Sequence, residues 1–171
     1  MSHTSYGLRY DEYGRTSEIL AYCRGSQVLN HNFINKGTAF TDAERRALGL
    51  LGSLPPAVRT LAGQVEDATR QMAAKASDLD KFVYIRALFD RNATLAHALI
   101  ASDIEKYLRI IYTPTVGLAC QNYSSMFRTA NGLHFYPGNI EYAEEILRHY
   151  LHRDIRVAVV TDNQGILGLG D

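Results

Sequence analysis

Two histidines late in the chain have a spacing that could bind a metal ion. His149 and His152 are three residues apart at the end of a predicted helix, so both imidazoles would lie on one face. No third ligand lies near them in the sequence, and a histidine at a helix C-terminus also interacts favourably with the helix dipole. We therefore interpret the pair as a solvated helix end and expect no metal site in this chain.

Three glycines and two cysteines are the other residues whose type suggests chemistry. Gly165, Gly168 and Gly170 resemble a dinucleotide fingerprint, but that fingerprint requires a following helix and a complete βαβ unit, so we expect no nucleotide bound by this chain alone. Cys23 lies in a polar segment without a catalytic partner. Cys120 lies on the apolar stripe of a predicted helix, where we expect it to be buried. Two cysteines are too few for a disulfide framework, so a reducing, cytoplasmic setting is expected.

The composition is that of one compact domain. Of the 171 residues, 46% are hydrophobic, and 18 Lys and Arg residues balance 18 Asp and Glu residues. The sequence contains neither a basic stripe nor a polybasic helix, so we expect neither nucleic acid nor a membrane as a partner. The longest apolar runs, such as residues 157–161, are far too short to span a bilayer.

Residues 31–129 are predicted to form a helical region, preceded by a polar arm over residues 1–30 with a short helix near residues 18–22. Thr41 and Glu44 match a capping box, in which each side chain bonds the backbone N–H of the other residue, so a short helix should begin there. We expect the ordered body to start near residue 35. Capping residues, prolines and apolar stripes predict further helices that open at Pro55–Pro56, at Ser77 or Asp78, at Ala93, at Ser102–Glu105, and at Pro114 with Thr113 as its cap.

The pattern changes near residue 130. Gly132–Tyr136 predicts a short strand, Asn139 should cap a helix, and Ile155–Thr161 is rich in β-branched residues, as is typical of a strand buried on both faces. The expected fold class is therefore α/β and predominantly helical. A helical N-terminal region would be followed, over residues 130–171, by the beginning of an α/β region with a parallel sheet.

Several blocks, in the same order as in the family, resemble the malic enzymes, whose members oxidatively decarboxylate malate. The most specific block is Ile111–Gly117, which contains Tyr-Thr-Pro-Thr-Val-Gly. The other blocks are Asn35–Phe40, Leu48–Leu50 with Leu54–Pro56, Asp90–Asn92, Val159–Asp162 and Ile166–Asp171.

The resemblance implies a catalytic role for Tyr112. In the family, malate is oxidised at C2 by hydride transfer to NAD or NADP, a divalent metal polarises the ketone while CO₂ leaves, and a tyrosine that matches Tyr112 protonates the enolpyruvate. A free tyrosine has a pKa of about 10, so a neighbour must stabilise the phenolate. The family supplies a lysine, and a helix that begins at Pro114 would add its partial positive charge. The alternative is a structural tyrosine packed in the core beside that helix.

The resemblance also implies that much of the active site lies outside this sequence. The family's lysine, the carboxylates that bind Mg²⁺ or Mn²⁺, and the NAD-binding Rossmann domain all follow the segment that matches Gly168–Asp171. We therefore expect residues 130–171 to be the beginning of the substrate-binding region, truncated before the NAD-binding domain, and this chain alone to be inactive. The complete enzyme should be a homodimer that converts malate to pyruvate.

Three positions depart from the family pattern. Many members carry an arginine that grips malate where this chain has Gly165, which removes a bidentate carboxylate clamp. Some bacterial malic enzymes and malolactic enzymes also have glycine there, so the change does not by itself imply inactivity. His97 and Arg109 also replace residues that are usual in the family. The substrate-binding residues of this chain are therefore not identified by the resemblance.

Arg91 is a candidate regulatory or interface residue. Animal mitochondrial relatives bind fumarate at the dimer interface through two arginines and a glutamate, and Arg91 matches one of the arginines. The other arginine falls at Asp67 and the glutamate at Arg59. Because Asp67 would repel a dicarboxylate, we expect no fumarate activation by this mode. The alternative role for Arg91 is a salt bridge at a helix end.

The sequence leaves three functions open. The first is the N-terminal domain of a malic enzyme, which supplies Tyr112 and dimer contacts. The second is a free-standing, non-catalytic dimerisation or regulatory module derived from a malic enzyme. The third is a domain of a malolactic-type enzyme, which converts malate to lactate and CO₂. The context of Pro114 and the following Thr-Val-Gly favours the malic over the malolactic reaction.

Overall fold

The computed structural model describes residues 5–127, 129–130, 132–150 and 157–161. The chain divides into two compact units, Met1–Met126 and Phe127–Asp171. Among the described residues, no helix is both long enough and apolar enough to cross a membrane.

A β-hairpin occupies the region predicted to be a polar arm. Strand β1 (Tyr6–Tyr10) pairs antiparallel with β2 (Thr16–Ala21), and Leu8 lies opposite Ile19. The short helix predicted near residues 18–22 is therefore wrong. The backbone there is extended because it hydrogen-bonds to a strand about ten residues earlier, and cross-strand pairing of this kind is not visible in local propensity.

A small apolar cluster ties the hairpin to the following segment. Val28, Ile34, Phe40 and Leu50 are its buried members, and Tyr6 packs against them from β1. Val28 belongs to the short helix α1 (Ser26–Leu29) and is completely buried. The ordered body therefore begins well before residue 35, where the sequence predicted its start. This part of the chain is ordered because apolar side chains before and after residue 35 are buried against one another.

Local capping signals set the beginnings of several helices. Helix α2 (Asp42–Ala47) starts with the predicted capping box, in which the Thr41 hydroxyl accepts from the Glu44 N–H and the Glu44 carboxylate accepts from the Thr41 N–H. The helix predicted to open at Pro55–Pro56 begins later, because the Thr60 side chain caps it. The remaining helices of this unit are α3 (Leu61–Ala73), α4 (Asp78–Arg91), α5 (Ala93–Ser102), α6 (Ile104–Ile111), α7 (Thr115–Gln121) and α8 (Tyr123–Met126).

Helices α3 to α6 enclose the main core, and α7 lies against α4 and α6. The core residues recur at helical spacing, so each helix presents one apolar face to its neighbours. They are Ala68 and Met72 of α3, Ile85 and Leu88 of α4, Leu95, Ala96, Leu99 and Ile100 of α5, and Tyr107 and Ile110 of α6.

Helix α7 buries only part of the apolar stripe that the sequence predicted. Thr115 and Ala119 are buried, whereas Cys120 is exposed, so the expected burial of that thiol is wrong. Tyr123 and Phe127, which continue the same predicted stripe, are also about half exposed. Periodicity identifies an apolar stripe but not which neighbour will cover it.

The second unit contains a 3₁₀ turn (Ile140–Tyr142) and helix α9 (Ala143–His149). The strand predicted at Gly132–Tyr136 is wrong, because residues 132–136 are irregular. Residues 157–161 also form no strand, and Val160 is 93% exposed. An extended segment becomes a strand only when a neighbour accepts and donates its backbone hydrogen bonds, so β-branched residues alone do not make one. The predominantly helical α/β class is confirmed, and the parallel sheet stays a prediction.

Candidate active site

Tyr112 occupies the junction between α6 and α7. Its backbone is extended, with φ −128° and ψ −154°, so α6 ends there. The Tyr112 N–H donates to the Leu108 carbonyl at 2.9 Å, and the Tyr112 carbonyl accepts from the Val116 N–H at 2.8 Å. Tyr112 is thus hydrogen-bonded to a helix on each side.

The phenol of Tyr112 points away from the core. Tyr112 is 48% exposed, and among the described residues none hydrogen-bonds its hydroxyl. Leu108 and Ile104 lie one and two turns earlier, respectively, on the same face of α6, and both are about half exposed or more. The alternative of a tyrosine packed inside the core therefore does not fit. Tyr112 lies on an accessible, largely apolar face with its hydroxyl available to a reactant.

The turn that carries Tyr112 differs from the sequence expectation. Helix α7 begins at Thr115 rather than at Pro114, and Thr113 does not cap it. The Val116 N–H donates to the Tyr112 carbonyl and the Gly117 N–H to the Pro114 carbonyl. These two amides are therefore unavailable to a phenolate, and the first turn of α7 supports an anion at Tyr112 less than predicted.

Thr115 closes the same turn with its side chain. It is 2% exposed, and its hydroxyl donates to the Arg109 carbonyl at 2.8 Å. That carbonyl lies in the last turn of α6, where carbonyl groups lack a partner within the helix. The side-chain bond therefore joins the end of α6 to the start of α7 across the segment that contains Tyr112.

Comparison with known proteins identifies the family that the segment containing this turn resembles. Residues 89–171 match the family model described as malic enzyme, N-terminal domain. NAD-dependent malic enzyme 3 of Bacillus subtilis (strain 168) is 43% identical over 156 residues, which is 90% of this chain and 28% of that protein. An NAD-dependent malic enzyme of Photorhabdus laumondii is 42% identical over 147 residues, which is 86% of this chain and 26% of the relative.

The chain belongs to the malic enzyme family. A third relative, an NAD-dependent malic enzyme of Pseudomonas syringae pv. tomato, is 44% identical over 86% of this chain and 26% of its own length. The chain thus spans about a quarter of the length of the curated relatives that it matches.

The expectation that this chain binds neither a metal nor a dinucleotide stays a prediction. Within the described ranges, no three His, Cys, Asp or Glu side chains are grouped as metal ligands. The described strands form only the antiparallel hairpin, which is not a nucleotide-binding βαβ unit. Gly165 and the glycines that follow it, together with His152, lie outside the described residues. No step of hydride transfer or metal chemistry is therefore assigned to the residues seen here.

A shallow pocket near α6 lacks the charge to attract malate. Its volume is about 390 Å³, and acidic and basic side chains line it in equal number. Asp78 is paired with Lys81 at 2.7 Å, which neutralises two of these charges. Tyr112 does not line this pocket. The lining residues are Asp78, Lys81, Asp103, Glu105, Lys106, Arg109 and Ile110.

Arg91 is exposed at the end of α4, and its guanidinium carbon lies 5.9 Å from the centre of the Tyr84 ring. Partial burial raises the pKa of Tyr84, and the charge of Arg91 opposes that rise. Asp67, which the resemblance matches to a fumarate-binding arginine of animal relatives, forms ion pairs with Arg59 at 2.8 Å and with Arg70. Asp67 is thus a carboxylate paired with two arginines at the matched position, where fumarate binding would require a cation. That fumarate does not activate the enzyme in this way stays our prediction.

Three buried polar residues were not singled out by the sequence. Arg45 is 4% exposed and bonds backbone carbonyls, Gln64 is 8% exposed and bonds the Lys36 carbonyl, and Thr115 closes the turn around Tyr112. The sequence could have drawn attention to Thr115, because it lies inside the most specific sequence block. It gave no indication that Arg45 and Gln64 are buried, because both residue types are usually exposed.

Proposed function

We propose that this chain supplies Tyr112 as the general acid of an NAD-dependent malic enzyme that converts malate to pyruvate and CO₂. The single observation that supports the proposal is the position of Tyr112. Tyr112 lies in a sequence block typical of the family and is 48% exposed at a hydrogen-bonded helix junction rather than packed in the core. An accessible hydroxyl held by an ordered backbone is what proton transfer to a bound intermediate requires.

The proposed step is a proton transfer to carbon. After CO₂ has left, the Tyr112 O–H donates its proton to the methylene carbon of enolpyruvate, which becomes the methyl group of pyruvate, and a phenolate remains. The phenolate must then be reprotonated by a proton donor. In the family this donor is a lysine, in its ammonium form, that follows the segment matching Gly168–Asp171. NAD would accept the hydride and Mg²⁺ or Mn²⁺ would polarise the ketone in the complete enzyme.

A chimeric enzyme tests this role. Residues 1–171 of this chain would replace the matching segment of the Bacillus subtilis relative, and formation of NADH and pyruvate from malate would be measured with Mn²⁺. We expect Tyr112→Phe to lower kcat by about 10²- to 10⁴-fold, as is typical for loss of a general acid. Tyr10→Phe is the matched control, because Tyr10 is 61% exposed on the hairpin. Activity of Tyr112→Phe within threefold of the parent chimera would contradict the proposal.

The same assay separates the malic from the malolactic reaction, since the latter yields lactate without net NADH. For the 171-residue chain alone we predict no malate-dependent reduction of NAD or NADP, even with Mn²⁺. Steady turnover by this chain that disappeared in Tyr112→Phe would show that prediction to be wrong. The homodimer and the cytoplasmic location likewise stay predictions.

A further inference from the structure

The place of the Tyr112 phenol depends on how the turn between α6 and α7 is closed. Three hydrogen bonds surround this turn: Tyr112 N–H to Leu108 carbonyl at 2.9 Å, Val116 N–H to Tyr112 carbonyl at 2.8 Å, and Thr115 hydroxyl to Arg109 carbonyl at 2.8 Å. The first two are backbone bonds that any residue at 112 could make. The third depends on one side chain.

We propose that Thr115 is a positioning residue, whose hydroxyl fixes the turn so that the Tyr112 phenol stays in one place. The inference rests on the proposed function of Tyr112. Thr115 acts through the backbone and does not touch the reactants, because it is 2% exposed whereas Tyr112 is 48% exposed.

The energetic reason lies in the Arg109 carbonyl. Helix α6 ends at Ile111, so this carbonyl is left without a helical amide donor, and Pro114 has no N–H to offer the neighbouring carbonyl. A valine at 115 would keep the shape of the side chain but leave the Arg109 carbonyl without its donor. The turn would then relax to find another partner, and Tyr112 would move with it.

Small movements of a catalytic group have large effects on rate. A displacement of about 1 Å from the productive geometry can lower a rate by about 100-fold. Because the phenol is attached to the segment that Thr115 closes, a looser turn should lower kcat more than it alters KM for malate.

The test uses the 171-residue chain labelled with fluorotyrosine and the variants Thr115→Val and Thr115→Ser. Amide hydrogen exchange at Tyr112 and Val116 would be measured by NMR, with the ¹⁹F resonance of Tyr112 assigned by its loss in Tyr112→Phe. We expect Thr115→Val to speed exchange at both amides by about 2- to 10-fold, the effect of one lost hydrogen bond, and to shift or broaden the Tyr112 resonance. Thr115→Ser keeps the hydroxyl and should restore both signals.

Ser102→Ala is the matched control. The Ser102 hydroxyl makes the same kind of bond to the Leu99 carbonyl, at 2.7 Å, but at the end of α5. We expect this variant to leave exchange at Tyr112 and Val116 unchanged. If Thr115→Val does not fold, Thr115→Cys replaces it, because cysteine and serine differ only in sulfur for oxygen and the thiol is a weak donor. We then expect faster exchange in the cysteine variant than in the serine variant.

Equal exchange and equal Tyr112 signals in the hydroxyl-bearing and hydroxyl-lacking variants would overturn the positioning role, whatever the activity of Tyr112→Phe. In the chimera we expect Thr115→Val to lower kcat by about 10- to 100-fold with KM changed less than threefold, and Thr115→Ser to recover most of it. Retained activity in Tyr112→Phe would instead overturn the proposed function, and the exchange effect of Thr115 would still be measurable.

Discussion

Arg45 offers the sharpest test of how the first unit is held together. It is 4% exposed on α2, and its guanidinium donates to five backbone carbonyls rather than to a carboxylate. The closest are the carbonyls of Pro55 at 2.8 Å and Phe40 at 2.9 Å. Since a guanidinium has five N–H donors, every donor has an acceptor. The side chain thereby fixes the segment that leads to the Thr60 cap of α3.

The cost of replacing Arg45 with methionine follows from opposing effects. Hydrogen bonds to charged groups stabilise by about 1.5–3 kcal/mol each, so five would give about 7–15 kcal/mol if they were additive. Burying the cation, however, costs several kcal/mol, and methionine relieves that cost. Residues 55–57 are also exposed, so water can reach carbonyls that lose their donor. We therefore expect Arg45→Met to lower the free energy of unfolding by about 2–4 kcal/mol.

Urea unfolding followed by far-UV circular dichroism measures this change. Arg45→Lys should lose about 1–3 kcal/mol, because an ammonium has three donors on a shorter side chain and cannot reach all five carbonyls. Arg46→Met is the matched control, since Arg46 is the next residue on the same helix and is exposed. It should change stability by no more than about 0.5 kcal/mol. Equal losses for Arg45→Met and Arg46→Met would refute the assignment of Arg45 as a buried anchor.

Three further predictions concern titration, burial and substrate binding. Partial burial would raise the pKa of Glu44, but hydrogen bonds from Lys36 and Thr41 outweigh it and lower the pKa, so the carboxylate stabilises the fold above its unfolded pKa of about 4.3. Glu44→Gln should therefore be less stable than the parent at pH 7, and the difference should shrink as the pH falls below about 4 in acid-unfolding curves. The Gln64 amide donates to the Lys36 carbonyl at 3.0 Å, and a carboxyl there could donate only when protonated. Gln64→Glu should therefore lose about 2–4 kcal/mol at pH 7 and recover stability on acidification, and a loss that does not change with pH would contradict this. In the chimera, Gly165→Arg should lower KM for malate by restoring a carboxylate partner, and an unchanged KM would count against the resemblance at that position.

Local chemistry made several features predictable from the sequence. The capping box of Thr41 and Glu44 needs only residues three apart. The helix predicted to open at Ser77 or Asp78 begins at Asp78 with Ser77 as its cap, so both predictions are confirmed. The start of α6 was predicted one residue early, because Asp103 rather than Ser102 provides the cap. Ser102 is still the last residue of α5, so the cap position falls to Asp103.

Features that depend on distant partners were not predictable in this way. The hairpin forms because Thr16–Ala21 pairs with Tyr6–Tyr10, and neither strand signals its partner locally. Cys120 was expected inside and lies outside, because the neighbours of α7 cover Ala119 and Thr115 but leave Cys120 exposed. Arg45 was not singled out by the sequence and is buried, because carbonyls up to twelve residues away converge on it.

The sequence by itself determined the family, the position of the tyrosine to which the proposed chemistry belongs, and most of the helices, since all of these are carried by residue identity and short-range spacing. Only the tertiary structure decided that this tyrosine is accessible. Helix α6 turns Tyr107 and Ile110 into the core, and its geometry then places Ile104, Leu108 and Tyr112 on the opposite, exposed side. A motif names a residue, but the packing of the helix that carries it determines whether its side chain can meet a reactant.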